Sequence, residues 1–246
     1  MRRWWQTPEV GLLLVAAAAC WLWMAGRSQG LHAMHGAMGL PLPAFALMWL
    51  LMATAMMLPS AAPVASLYAR SAQRNRLVRL GGFAAGYLLV WAAFAVPAYG
   101  LARLADQAVA AAPALGTVTA AVIFAANGTY QLSGLKDRCL SRCRSPFALL
   151  LRYAAWQGPF RDLRAGAHSG GFCLGCCWSL MALLVAFGVM NLWAMVALTV
   201  VVTAEKLWSR GHGLAQSSGV ASLGLAVAVF WFPWLASGLH AGAMAM

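Results

Sequence analysis

Three cysteines, Cys173, Cys176 and Cys177, lie together at the start of a long hydrophobic segment. On a helix, the CxxCC spacing puts their thiols at i, i+3 and i+4, and therefore on one face. Thiolates that converge in this way can bind a soft metal ion or take part in thiol–disulfide exchange. The other interpretation is that they are reduced, inert side chains that pack as small hydrophobic residues.

A second pair of cysteines favours a chemical role. Cys139 and Cys143 are four residues apart, and His168 comes five residues before Cys173, so we expect all six groups near one membrane face. Three thiolates without a hard ligand favour Cu(I), and zinc or iron would fit if His168 joined them. The spacing is not that of a zinc finger. Nearby cations should lower the pKa of the thiols: Lys136, Arg138, Arg142 and Arg144.

A segment rich in methionine and histidine is a second candidate copper site. It contains His32, Met34, His35 and Met38, and it lies between the first two hydrophobic stretches. Thioethers suit Cu(I), and imidazole binds either oxidation state of copper. A similar segment at 240–246 ends the chain. The alternative for both is a flexible loop and tail of low complexity.

Methionines also recur inside the second hydrophobic stretch. Met52 and Met56 continue a spacing of four residues that starts at Met48. Such a stripe is more often helix packing than a metal path. It remains a candidate because it lies between the external methionine and histidine segment and the predicted cytoplasmic thiols.

Polar side chains within the hydrophobic stretches are candidates for supporting the thiol site. Such groups are costly inside a membrane and are often functional. Asn127, Gln131 and Glu205 are expected at the same depth as the cysteines. The alternatives are hydrogen bonds between helices and a pair formed by Glu205 with its neighbour Lys206.

The composition predicts a membrane protein. The chain of 246 residues is 63% hydrophobic and only 9% charged, whereas about a quarter of the residues of a soluble domain are charged. Recurrent apolar runs, without the alternation of a barrel, predict an all-α polytopic transmembrane bundle in one domain, 1–246. We expect about seven spans, with six possible, and a cytoplasmic cysteine-containing loop at about 135–171. The predicted spans are 9–26, 43–64, 80–102, 114–134, 172–190, 191–208 and 219–238.

The distribution of positive charge predicts the orientation. The formal net charge is +12, and all but Arg27 and Arg103 of the 17 lysines and arginines fall on one side of the predicted spans. This positive-inside pattern predicts a bacterial inner-membrane protein with a cytoplasmic N-terminus and an external C-terminus. The charge therefore orients the chain in the lipid bilayer and does not indicate a nucleic-acid partner.

Several classes of enzyme are excluded by missing motifs. The sequence contains no Walker A motif, GxGxxG or HExxH. It has only five acidic residues, so catalysis by paired carboxylates has no candidates. An ATP-driven pump is excluded, and we expect the chain not to be an enzyme.

Several stretches resemble a bacterial family of predicted metal-binding integral membrane proteins. The most distinctive are CxxxCRSP at 139–146 and CxGCCW at 173–178; the others are 52–59, 86–91, 130–132 with 135–136, and 205–206. The resemblance covers about residues 45–208. It implies a membrane location and metal binding through the matching cysteines, and it does not define a reaction.

Together these patterns predict copper handling at the membrane. Cys173, Cys176 and Cys177 would be the primary ligands, and Cys139, Cys143 and His168 would complete the site or relay to it. Copper would be acquired at the external segment, pass along the methionine stripe and be delivered at the thiols to a metallochaperone or copper enzyme. A static metal site would use the same residues. The alternatives are a membrane thiol–disulfide oxidoreductase using both cysteine sets, or a component of a metal-dependent membrane oxidase or oxygenase.

Overall fold

The computed structural model describes residues 7–28, 37, 39–71 and 75–239. The predicted external copper site at His32, Met34, His35 and Met38 and the segment 240–246 lie outside these residues. The described residues form helices and their connections, which confirms the predicted all-α class. The helices are α1 Pro8–Ser28, α2 Leu42–Arg70, α3 Arg76–Ala111, α4 Pro113–Gln131, α5 Gly134–Cys143, α6 Pro146–Ala154, α7 Arg161–Phe187, α8 Leu192–Leu207, α9 Gly211–Ala228 and a final 3-10 helix, Pro233–Ala236.

Within the part of the chain that the structure describes, four helices are long and apolar enough to cross a membrane: α1, α2, α3 and α7. Helices α4, α8 and α9 correspond to the other three predicted spans but contain only 19, 16 and 18 residues. A span of a typical bilayer takes about 20 residues. A membrane location is therefore supported, and the number of seven spans stays a prediction.

Two predicted helix boundaries were wrong. Helix α7 begins at Arg161 rather than at 172, so its three cysteines lie near the middle of the helix. Its polar first turns carry no hydrophobic signal, although their small residues pack closely on α3. Helix α9 occupies Gly211–Ala228 rather than 219–238, and the apolar run continues past it into the 3-10 helix that begins at Pro233. Proline cannot donate the backbone hydrogen bond that continues a helix.

The segment 135–171, predicted as a loop, is mostly helical. Helices α5 and α6 and the first turns of α7 occupy it. The Ser133 side chain caps α5 by accepting a hydrogen bond from Lys136 N. In α6, Leu149 and Tyr153 are buried while Arg152 is exposed, which is the pattern expected of a helix lying along a surface.

Glycines bring α3 and α7 into close contact. A Cβ on Gly86 would lie 2.0 Å from Leu163 O, and a Cβ on Gly166 would lie 1.9 Å from Phe83 O. Only glycine allows this approach, which is typical of helix pairs in membranes. The contact places the residue after Gly86, Tyr87, against the cysteine face of α7.

Candidate metal centre

The α7 cysteines form a buried sulfur cluster with a methionine of α2. Cys173, Cys176 and Cys177 are no more than 3% exposed. Cys173 Sγ lies 3.9 Å from Cys177 Sγ, and Cys177 Sγ lies 3.7 Å from Met57 Sδ. The helical spacing thus gathers the thiols as predicted, and α2 adds a thioether that the sequence had not indicated.

The second cysteine set reaches this cluster through one member. Cys143 Sγ, at the end of α5, lies 3.8 Å from Cys176 Sγ. Cys139 lies over the backbone of α7, because a Cβ on Gly175 would be 2.8 Å from Cys139 Sγ. Two sulfurs bound to one ion at about 2.3 Å lie about 3.8–4.0 Å apart at tetrahedral or trigonal angles. The measured separations between sulfur atoms therefore fit ligands that share an ion.

The arrangement offers pairs of thiols rather than a larger ligand set. Among the described residues, no group of three or more His, Cys, Asp or Glu side chains is arranged to hold a metal ion. The pair Cys173 and Cys177 is extended by Met57, and Cys143 and Cys176 form the other pair. Few ligands, all of them sulfur, suit a soft ion better than a hard one.

Cys173 is held by two polar side chains from other helices. Lys206 Nζ of α8 donates a hydrogen bond to Cys173 Sγ (2.9 Å) and another to Ser60 Oγ of α2 (3.0 Å). The Tyr87 hydroxyl lies 2.8 Å from the same sulfur. Buried charges are normally paired, and no described carboxylate lies within ion-pair distance of Lys206. A thiolate at Cys173 would be a counter-ion for this ammonium.

Glu205 pairs with a lysine other than its neighbour. Adjacent residues of a helix face different directions, and the Glu205 carboxylate lies 2.7 Å from Lys136 Nζ of α5. Gln131 of α4 donates to Glu205 Oε1 (3.2 Å) and accepts from Lys136. Arg144, just after α5, donates to Glu205 O (2.6 Å). These contacts hold both ends of the helix that carries Cys139 and Cys143.

The predicted effect of nearby cations on the α5 thiols was wrong. Burial raises the pKa of Cys139, and the hydrogen bond with Cys176, together with burial, raises the pKa of Cys143. The cations are directed elsewhere: Lys136 and Arg144 toward Glu205, and Arg138 and Arg142 toward solvent.

The other predicted site residues have contacts of their own or are buried in their helices. His168 sits among aromatic rings, with its Nδ1 3.0 Å from the Tyr153 hydroxyl and with Trp156 and Phe172 against its ring. Its role as a ligand stays a prediction. Asn127 donates to Ser222 Oγ (3.1 Å), a hydrogen bond between helices. Met52 and Met56 are fully buried in α2.

Three residues that contact the sulfur cluster were not predicted from the sequence. Met57 directly follows the methionine stripe, and Tyr87 lies in a stretch that carried the family resemblance. Lys206 was considered only as a partner of Glu205. A lysine in an otherwise apolar segment is itself a sign of a functional site. The residues that the Lys206 side chain contacts, however, depend on how the helices pack.

Fold and site together define a class of protein: the described residues are helical, with apolar helices suited to a membrane, and they bring buried thiols and a thioether together. The sequence profile of the PpoB2 family, described as copper chaperones, matches residues 46–229. The chain belongs to this PpoB2 copper chaperone family. Comparisons with curated proteins and with solved structures gave no match. The matched range contains every sulfur and polar group of the centre and excludes the segment with His32 and Met38.

Proposed function

We propose that this chain binds Cu(I) as cargo through Cys173, Cys177 and Met57, and exchanges it with the pair formed by Cys143 and Cys176. The observation that carries the proposal is the meeting of sulfurs from three helices at separations of 3.7, 3.8 and 3.9 Å. These separations suit metal–sulfur bonds of about 2.3 Å. Membership of a copper chaperone family supplies the identity of the ion.

The donor set supports copper over harder ions. Thiolates and thioethers select Cu(I), whereas carboxylate and carbonyl oxygens suit magnesium, calcium and manganese. No described carboxylate lies within ion-pair distance of Lys206, the cation that contacts Cys173. Zinc or iron would fit better if His168 joined the sulfurs, and its aromatic surroundings on the first half of α7 do not favour that.

In this proposal two sets of sulfurs, each linked by its own contacts, make a path from the interior toward the surface of the protein. Met57 contacts Cys177, which contacts Cys173; Cys176 contacts Cys143, and Cys143 is half-buried at the end of α5. A cavity of about 20 Å³ lies beside Cys143 and Cys173, with room for about one water molecule. Cu(I) could pass between sulfur pairs here by ligand exchange.

We place this path in the bacterial inner membrane, with α5 on the cytoplasmic side. The asymmetry of lysines and arginines supports that orientation. On the external side, His32, Met34, His35 and Met38 would acquire copper, and Met52 and Met56 would lead it inward. The partner would be a metallochaperone or a copper enzyme with exposed thiolate or thioether ligands.

Thiol–disulfide exchange is the second candidate function. The separation of 3.8 Å between Cys143 and Cys176 favours it, because modest movement of α5 would bring these sulfurs to bonding distance of about 2.05 Å. Counting free thiols during redox cycling separates the two functions: disulfide exchange consumes thiols in pairs, whereas Cu(I) binding protects them without oxidising them.

An anaerobic Cu(I) titration against a chromogenic Cu(I) chelator tests the copper proposal. We expect the purified protein to take at least one Cu(I) per chain. Mutating even the outer partners of metal ligands costs about 10–100-fold in affinity, so Met57→Leu should weaken binding by at least about tenfold. The control is Met195→Leu, a change of the same type at a fully buried methionine of α8 that makes none of the sulfur contacts described above. Equal affinities of the two variants would remove Met57 from the site.

A further inference from the structure

Lys206 is a buried cation in contact with the sulfur cluster. It is 7% exposed, and it reaches from α8 to Cys173 on α7 and to Ser60 on α2. We infer that Lys206 makes this centre select monovalent soft ions, Cu(I) and Ag(I), over divalent soft ions such as Zn(II) and Cd(II). The inference rests on the proposed copper site and adds the residue that sets its specificity.

The hydrogen bonds fix the position of the ammonium group. The Ser60 hydroxyl donates to Met57 O (2.9 Å), so its oxygen is free to accept from Lys206. The second N–H of Lys206 is directed at Cys173 Sγ. Both contacts are buried and lie on different helices, so the ammonium is held beside Cys173 rather than in solvent.

A fixed positive charge penalises cations in proportion to their charge. The Coulomb energy between Lys206 and a bound ion is twice as unfavourable for a divalent ion as for a monovalent ion at the same position. A monovalent ion with two thiolates carries one net negative charge, which the ammonium neutralises. A divalent ion with the same two thiolates is neutral, and the buried ammonium then lacks a partner.

Nearby acids do not correct this imbalance. Glu205 directly precedes Lys206 in the chain, but its carboxylate pairs with Lys136, and no described carboxylate lies within ion-pair distance of Lys206. A divalent ion would have to recruit a third thiolate to reach the same neutral state. Cys143 and Cys176 are the nearest source, and recruitment would separate that pair.

A competition experiment tests the inference. Anaerobic protein is equilibrated with buffered Cu(I) and Zn(II), and the two bound metals are counted by mass spectrometry. We expect Lys206→Met, which is one atom shorter and removes the charge, to shift the ratio of bound Zn(II) to Cu(I) upward by roughly tenfold or more. Lys206→Arg, which keeps the charge, and Arg152→Gln, at an exposed position of α6, should retain the wild-type ratio.

The outcomes separate this inference from the copper proposal. A Lys206→Met protein that binds metal with an unchanged ratio overturns the inference and leaves the copper site standing. A wild-type protein that binds no Cu(I) overturns the proposed function. If Lys206→Met does not fold, the wild-type protein is loaded with Ag(I) and Cd(II), both of which prefer sulfur. Preference for Ag(I) supports the inference, and Cd(II) binding as strong as Ag(I) binding overturns it.

Discussion

Replacing Cys173, Cys176 and Cys177 together with serine should abolish stoichiometric copper binding and leave the fold intact. Serine removes the soft ligand and keeps a hydrogen-bond donor of similar size. The Cys176 and Cys177 thiols both donate to Cys173 O, at 3.1 and 2.8 Å, and serine hydroxyls can make the same bonds. We expect the affinity for Cu(I) to fall by more than about 100-fold, the upper range for changes around metal ligands.

Metal content and far-ultraviolet circular dichroism of the triple variant check this expectation. The matched control is Cys20→Ser, a half-buried free cysteine on α1 outside the candidate centre. The control should bind as much copper as the wild type. If the triple variant keeps the wild-type stoichiometry and helicity, the α7 thiols are packing residues and the copper lies elsewhere.

Breaking the buried pair of Lys136 and Glu205 should destabilise the protein strongly. Both side chains are at most 2% exposed, and their nearest oxygen–nitrogen distance is 2.7 Å. Removing one partner of a buried pair leaves a charge uncompensated and costs about 3–5 kcal/mol. We therefore expect Lys136→Met to lower the free energy of unfolding by about that amount. The double variant Lys136→Met/Glu205→Met should be considerably more stable than the single one, since no charge is left alone.

A neighbouring exposed ion pair provides the control for these two variants. Asp137 lies 3.2 Å from His212, and their side chains are 47% and 45% exposed. Exposed pairs contribute about 0–1 kcal/mol, so Asp137→Asn should change the unfolding free energy little. Chemical unfolding in detergent measures all three variants. Equal effects of Lys136→Met and Asp137→Asn would mean that the buried network does not hold α5 in place.

Helical periodicity was enough to predict which thiols share a face. The spacing of Cys173, Cys176 and Cys177 fixes their relative directions on any helix, and the structure has them in contact. The length and apolar character of α2 and α3 likewise follow from composition alone. Local pattern could not extend α7 back to Arg161, because its first turns are stabilised by glycine contacts with α3 and carry no hydrophobic signal.

Contacts between distant parts of the chain could not be predicted from the sequence. The meeting of Cys143 with Cys176 depends on how α5 turns back onto α7, and the glutamate–lysine contact that fixes it joins residues far apart in sequence. The direction of Lys206 depends on the same packing. The wrong prediction for the pKa of Cys139 has the same origin, because proximity in sequence to arginines gave no information on burial.

The neighbouring residues Glu205 and Lys206 contact the two helices that carry the two sets of cysteines. Glu205 holds α5, which carries Cys143, and Lys206 contacts Cys173 on α7. Because neighbours on a helix face different directions, one dipeptide reaches two helices. The order of the sulfur centre therefore depends on α8, a helix that contributes no sulfur to the contacts described above.

The most direct test of the copper site is X-ray absorption at the copper K-edge of anaerobically loaded, detergent-solubilised wild-type protein. The proposed centre predicts Cu(I) with a first shell of sulfur only, at about 2.3 Å, the distance typical of thiolate sites. A first shell made mainly of nitrogen or oxygen would contradict it, because the described centre offers thiols and a thioether as ligands.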